Sequence, residues 1–268
     1  MINLDGNELS SKKKEALKEK IEKLPIKPQL AIVRIGEDSA SDIYVEKKVS
    51  FGREAGVEVG VLHLPSDTTT EKVQEEITAL NDDRTIQGII VQLPVPESID
   101  RETVINVDGL TAINMWRLMD DASGIVPATA KGIESLLDEH SIDLSGSHVV
   151  IVGDSLLVGK SVGIQFLNKD ATVTICHDKT KNLSEFTKQA DILIVAVGKP
   201  NLISNLHTKQ GQIIVDVGIN RKEDGSVVGD VDFDSVKDIV GAITPVPGGV
   251  GPMTVVSLFE NLVDGVKV

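Results

Sequence analysis

A chain of 268 residues that is 41% hydrophobic but only 3% aromatic must build its core from Val, Ile, Leu and Ala, which suits buried parallel strands covered by helices. Its formal charge of −14 excludes nucleic acid as a partner, because neutralising phosphates takes a basic surface, and its single cysteine, Cys176, excludes an intramolecular disulfide and a cysteine-built zinc site. Residues 1–25 are polar and Lys-rich, without the apolar stretch of a signal peptide, and no run approaches the ~20 apolar residues of a membrane span, so a cytoplasmic protein is expected.

In chain order, residues 9–23 pattern as a charged helix, Leu30–Ile35 as a strand, Ser39–Ala55 as a helix, Val57–Leu64 as a strand, Thr69–Asn81 as a helix and Ile86–Leu93 as a strand. This is repeated βα packing. Pro94 and Pro96 stop the last strand, and an irregular stretch runs to about Asp121, where the first domain is expected to end. The pattern restarts with a helix over Ala128–Glu139, the strand His148–Val152, a glycine turn at Gly153 and a helix to about Asn168. Short apolar runs at Ala171–Cys176, Asp191–Val197 and Gln212–Val217 then read as buried parallel strands. The expected fold is α/β with two domains and a cleft between them. Residues 1–121, joined by a C-terminal helix over 252–268, form one, and residues 122–251 form a Rossmann-like, doubly wound parallel-sheet domain.

Before that last helix comes PVPGGVGPMT, residues 245–254, where three prolines and three glycines impose a rigid, irregular shape. Such a segment is either a tight strand-to-helix connection or a loop that lines a ligand. HVVIVGDSLLVGKS, residues 148–161, places a strand, a Gly-rich turn and a helix start in succession, the arrangement that presents backbone N–H groups to a phosphate. A P-loop needs four residues between its first Gly and the Gly-Lys-Ser, whereas five separate Gly153 from Gly159; the dinucleotide fingerprint also fails, since Gly153, Ser155 and Gly159 give G-x-S-x-x-x-G. A turn that binds nothing is the plain alternative. The next strand leads into Asp178, where a Rossmann unit carries the residue that reads the adenosine ribose. A carboxylate there favours a free 2′-OH and repels a 2′-phosphate, and Asp154 adds to the repulsion. Asp178 as a turn cap, with His177 and Thr180 as packing or turn residues, explains the same residues.

SASDIYVEKK, residues 39–48, sets Tyr44 and Lys48 four apart on one helical face, with Ser41 on the same side. A solvated surface pair is the ordinary meaning of that spacing. GIIVQLPVP, however, leaves Gln92 as a polar residue at the carboxyl end of an apolar strand, where open α/β sheets bind ligands. Asp108 in NVDG is either a turn aspartate before Gly109 or a carboxylate able to take paired hydrogen bonds from an amino-heterocycle.

Together with ADILIVAVGKP at 190–200, VDVGIN at 215–220 and GDVDF at 229–233, these motifs resemble, in order and spacing, the bifunctional methylenetetrahydrofolate dehydrogenase/cyclohydrolase (FolD) family over nearly the whole chain. The resemblance implies oxidation of 5,10-methylenetetrahydrofolate by NAD(P), then hydrolysis to 10-formyltetrahydrofolate, with no metal and with a homodimer formed through the second domain. Residues 1–121 would then be the folate-binding catalytic domain and residues 122–251 the nicotinamide-dinucleotide domain. The resemblance also implies the site. Lys48 does acid/base work at the one-carbon bridge, for which a neutral lysine serves best; Tyr44 stacks on the folate, Gln92 positions the lysine and Asp108 holds the pterin. Gly251 and Pro252, in the proline–glycine loop, line the folate side, while Gly153, Asp154, Ser155, Asp178 and Ile219 line the cofactor.

Three departures from the family pattern stand out. About seven residues are missing before Val107-Asp108-Gly109, which alters the pterin-side wall. The usual P-C-T-P-x-G is Pro127-Ala128-Thr129-Ala130-Lys131-Gly132, a packing change that leaves the Thr and the Gly. At the cofactor, the family's G-R-S is Gly153-Asp154-Ser155, and a serine often found after Cys-His is Asp178. Family precedent implies NADP, whereas the two carboxylates favour NAD. An active bifunctional enzyme therefore stands beside a folate- or nucleotide-binding homologue that has lost one or both activities, with a P-loop NTPase as a third possibility.

Overall fold

The structure, a computed structural model, describes residues 1–100 and 110–266. The chain divides into two compact units, one of Lys12–Met115 with Val255–Val268, the other of Met1–Ser11 with Trp116–Thr254. It opens with a two-residue strand, β1 (Ile2–Asn3), and a helix, α1 (Gly6–Glu22), which crosses from the second of these units into the first.

In the first unit three parallel strands form a sheet in which β2 (Gln29–Ile35) lies between β3 (Glu58–Leu64) and β4 (Gly88–Val91). The helix α2 (Ser39–Ala55) connects β2 to β3, and α3 (Thr70–Asp82) connects β3 to β4. Alternation along β2 sends Ala31, Val33 and Ile35 into one core with Val73 and Ile77 of α3. On the other face, Gly88 packs on Leu30 and on Leu262 near the chain's end, and Gly52 of α2 lies against Val59 and the Phe259 ring. Phe51 stacks on Phe259 at 4.9 Å between ring centroids.

The second unit carries a six-stranded parallel sheet. A helix, α4 (Ala112–Met119), leads into it, followed by α5 (Ala128–Glu139), β5 (His148–Val152), α6 (Ser161–Leu167), β6 (Thr172–Cys176), α7 (Leu183–Thr187), β7 (Ile192–Val195) and β8 (Ile213–Asp216). A short hairpin of β9 (Asn220–Arg221) and β10 (Val227–Val228), the one-turn α8 (Phe233–Val236), β11 (Ala242–Ile243) and α9 (Val250–Asp264) complete the chain. The strand order β1-β11-β8-β7-β5-β6 is that of a doubly wound sheet, with β5 and β7 adjacent where the winding reverses. Val150, Val152, Leu193, Val195 and Ile214 form its buried centre.

Residues 1–11, expected with the first domain, group with the second unit. The reason is pairing: β1 continues the sheet beside β11, with Ile2 opposite Ala242 and Asn3 opposite Ile243. The strand anticipated over Ile86–Leu93 is shorter at β4, yet the Gln92 N–H still bonds the Val33 carbonyl at 2.8 Å. The altered Pro127–Gly132 segment packs without disturbance. Ala128 and Ala130 are buried, Thr129 Oγ1 accepts from Thr254 Oγ1 at 3.4 Å, and Gly132 lies against the Met253 backbone.

Candidate functional site

The first constellation sits on α2 and at the end of β4. Asp38 caps α2 by accepting the Ser41 N–H at 2.7 Å, and Gly56, at φ 91°, ends the helix by returning its N–H to the Gly52 carbonyl. An ion pair between Arg34 of β2 and Asp42 ties the first turn of the helix to the sheet. Two turns further on, Lys48 Nζ donates to Gln92 Oε1 at 2.9 Å. The amide is oriented by its own chain neighbour: Gln92 Nε2 donates to the Leu93 carbonyl at 2.7 Å, which leaves Oε1 for the lysine. Ser41 Oγ donates to the same carbonyl at 3.4 Å.

Gln92 and Ser41 are buried, whereas Lys48 and Tyr44 are half-buried. The amine is thus directed by a fixed acceptor while its carrier helix is held at both ends. Tyr44 shares the face of Lys48 by its i,i+4 spacing, and Lys47 Nζ lies 5.8 Å from the centroid of its ring. Asp108, assigned to the pterin, lies outside the described residues, as does the shortened segment just before it.

The second constellation lies at the carboxyl ends of β5 and β7. Gly153 adopts φ 120°, its N–H bonds the Cys176 carbonyl at 2.8 Å, and a Cβ there would run into the Ala196 carbonyl oxygen. At Gly159 a Cβ would strike the Gly153 carbonyl oxygen. Ser155 starts the helical segment by accepting the Val158 N–H at 3.2 Å. The residue that spoils the spacing for either phosphate-binding motif is taken up by a π turn over Leu156–Lys160, closed by Lys160 N–H donating to the Ser155 carbonyl at 2.9 Å. The turn keeps its glycine packing with one residue more.

Asp154 and Asp178 are exposed. Lys179 Nζ stands 2.5 Å from Asp178 Oδ2, and His177 Nδ1 accepts the Lys179 N–H at 3.1 Å. Ile219, 45% exposed, lies between Gly218 and Asn220 just beyond β8. Gly251 and Pro252 fall in the first turn of α9, which begins at Val250. The preceding loop is held by the start of α1: Asn7 N–H bonds the Gly248 carbonyl at 3.0 Å, and Gly6 has room only for hydrogen against the Gly249 carbonyl.

Sequence reasoning passed over two buried carboxylates in this unit. Asp216 Oδ1 accepts from the N–H groups of Gly218 at 2.9 Å and Asp230 at 3.0 Å, and its Oδ2 from Val231 N–H at 2.9 Å. Asp230 Oδ2 accepts from the N–H groups of Val197 at 2.6 Å and Gly198 at 2.9 Å, and its Oδ1 from Asn220 Nδ2 at 2.8 Å. Burial pushes the Asp216 carboxyl up to about 6, against the pull of its three N–H donors and with help from the neighbouring Asp230 charge. The available signal was the pairing of each aspartate with a nearby glycine, in Asp216-Val-Gly218 and Gly229-Asp230.

Comparison with known proteins adds three findings. Residues 4–107 match the model of the tetrahydrofolate dehydrogenase/cyclohydrolase catalytic domain, and residues 127–268 that of the NAD(P)-binding domain of the same proteins. A bifunctional protein FolD from Bacillus mycoides is 46% identical, the match covering 99% of this chain and 96% of the relative. Among solved structures, the FolD methylenetetrahydrofolate dehydrogenase/cyclohydrolase of Campylobacter jejuni is 44% identical with a TM-score of 0.96, over 99% of this chain and 98% of that one. A Trypanosoma brucei relative, solved with NADP cofactor and an inhibitor, is 29% identical with a TM-score of 0.94, over 99% and 97%.

Proposed function

The chain belongs to the tetrahydrofolate dehydrogenase/cyclohydrolase family, and we propose that it oxidises 5,10-methylenetetrahydrofolate to the 5,10-methenyl cation with a nicotinamide dinucleotide and hydrolyses that cation to 10-formyltetrahydrofolate. The observation that carries this reading is the Lys48–Gln92 hydrogen bond, which directs an amine at the carboxyl end of a parallel strand. In the second step water adds to the methenyl carbon and loses one proton to give a hydroxy adduct, whose hydroxyl gives up its own proton as the ring C–N bond breaks and the ring nitrogen takes a proton, leaving the formyl group. Lys48 is the group for those transfers, and Gln92 fixes where its Nζ stands. Tyr44 supplies a ring face for the folate, Asp108 holds the pterin, and Gly251 and Pro252 line the folate side.

The residues present fit a dinucleotide. Gly153 and Gly159 let backbone meet backbone where a Cβ would collide, and Ser155 follows at the head of the helical segment, so Gly153, Asp154 and Ser155 would line the dinucleotide through the backbone of the turn. Asp178 would face the adenosine ribose and Ile219 the nicotinamide. A nicotinamide held there would supply the hydride acceptor for the dehydrogenase step. The two exposed carboxylates favour NAD over NADP in this proposal, although the Trypanosoma relative was solved with NADP.

A homodimer through the nucleotide unit belongs to the same proposal. It is supported by the position of β6 at the edge of the sheet among the described residues and by Ile175, Leu156 and Leu167, exposed apolar residues on that strand and on the segment preceding it. A cytoplasmic location accords with the finding that no helix among the described residues is long and apolar enough to cross a membrane. The deciding experiment follows methenyl formation and decay by absorbance with each cofactor. Turnover in both steps is expected; purified protein that forms no methenyl species with NAD or NADP overturns the proposal.

A further inference from the structure

The buried carboxylates of Asp216 and Asp230 have no place in the proposed chemistry, yet both are built into the segment that carries Ile219. Asp216 is 3% and Asp230 0% exposed. Desolvating a carboxylate is costly, and packed apolar residues often stabilise a core as well as a buried charge does, so a buried acidic pair calls for a role beyond stability. What the pair holds is specific. Five of its six hydrogen bonds come from backbone N–H groups, those of Val197, Gly198 and Gly218 where the chain leaves the sheet and those of Asp230 and Val231 beyond the hairpin, and the sixth comes from the Asn220 side chain.

Glycine is required where the chain closes over the carboxylates. A Cβ at Gly218 would meet the Asp230 carboxyl group, and one at Gly229 the Asp216 carboxyl group. Asp216 therefore fixes Gly218, immediately before Ile219, and Asp230 fixes Asn220, immediately after it. Asp230 also binds the Val197–Gly198 turn, next to Ala196, whose carbonyl packs on Gly153. An exposed apolar side chain is thus held by its two flanking residues at the carboxyl end of the sheet.

We propose that Asp216 and Asp230 are positioning residues for hydride transfer: by tethering Gly218 and Asn220 they fix the backbone that carries Ile219 to the nicotinamide side. This rests on the dehydrogenase reading above. Both are buried beneath that backbone, out of reach of a ligand on the surface, and neither serves the hydrolytic step proposed for Lys48.

The test uses the full chain with Asn220→Ala and Asp230→Asn. Dehydrogenase kcat, cyclohydrolase kcat on supplied methenyltetrahydrofolate, and the inhibition constant of ADP-ribose, which lacks the nicotinamide, are measured together. In Asn220→Ala the dehydrogenase kcat is expected to fall about 10- to 100-fold. A larger kinetic isotope effect with the dideuterated methylene substrate should accompany it, while cyclohydrolase kcat and ADP-ribose inhibition stay at wild-type values. Asp230→Asn should show the same split more strongly; should it fail to fold, Asn220→Ala decides alone, because it leaves both N–H bonds to Asp230 in place. A wild-type dehydrogenase kcat in Asn220→Ala, or a parallel loss of ADP-ribose inhibition, overturns the proposal. Absence of hydride transfer in the wild-type protein overturns the function itself, and with it this role.

Discussion

In the nucleotide unit the turn after β5 is shaped by backbone, with Gly153 at φ 120° and Gly159 pressed onto its carbonyl, and its polar side chains point into solvent. Around β2 and β4 the arrangement is inverted: the helix and strand are regular, and a side-chain hydrogen bond, Lys48 to Gln92, does the placing. A dinucleotide diphosphate is bound through N–H groups, so its site is specified by which positions lack a Cβ. Proton transfer depends instead on one nitrogen at one position. The two sites should accordingly fail in different ways.

The largest effect is expected from Lys48→Met. Removing the amine should lower cyclohydrolase kcat by about 10²- to 10⁴-fold, the usual span for a lost acid/base group, with folate binding still measurable by titration. Hydrolysis at the wild-type rate would remove Lys48 from the mechanism. Gly153→Ala attacks the other site through its backbone. The added methyl meets the Ala196 carbonyl at a φ that L-residues rarely adopt, so a loss of about 3 kcal/mol in unfolding free energy is expected, together with loss of dehydrogenase activity. Wild-type stability in denaturant titration would show that the turn is looser than its packing implies.

Much of this was legible in the sequence, for reasons that individual residues make plain. Runs such as Val149–Val152 and Ile192–Val195 are buried on both faces, so their strands announce themselves. Lys48 and Gln92 could be singled out because one is a polar residue closing an apolar strand and the other shares a helical face with a tyrosine. Their pairing followed only from the family resemblance, which gave Gln92 the task of positioning the lysine, because local pattern does not join residues 44 positions apart in the chain. The role of residues 1–11 was hidden for a similar reason: a two-residue strand has no period, and β1 exists only because β11 offers it an edge. The π turn was legible as an irregularity, one residue too many, but not as its solution.

The buried pair gives a prediction of stability against pH. Asp216 titrates at about 6 in the folded chain against a reference of 3.8, so between those values the folded state holds a proton that the unfolded state has released. Its contribution is complete below pH 4 and is lost as the pH rises through 6, a difference on the order of 3 kcal/mol. Asp191, whose carboxyl is held below its usual value chiefly by the His148 N–H, does not oppose the trend, because it loses stabilising charge only at lower pH. His207, whose imidazole burial holds below its usual value, pulls the other way over this window, so the expectation is a difference: between pH 7.5 and pH 5 the denaturant midpoint should change more favourably in the wild-type protein than in Asp216→Asn. Equal slopes in the two would place the ionisation elsewhere.

The smallest effect tests the charge proposed to face the ribose. Asp178 is exposed, and Lys179, 2.5 Å away and itself exposed, offsets part of its field. Solvent screens both. Removing the carboxylate should therefore shift preference modestly: in Asp178→Ser the ratio of kcat/KM for NADP to that for NAD should rise about fivefold, as expected for one like-charge contact near water. The change should appear in KM, because the adenosine end is bound equally in ground and transition states. Asp154→Ser separates the two carboxylates. If it moves the ratio further than Asp178→Ser does, the discriminating charge belongs to the turn and not to the strand end. If neither variant moves it, cofactor choice is set by shape at the ribose, and the acidic pair is a solvated surface.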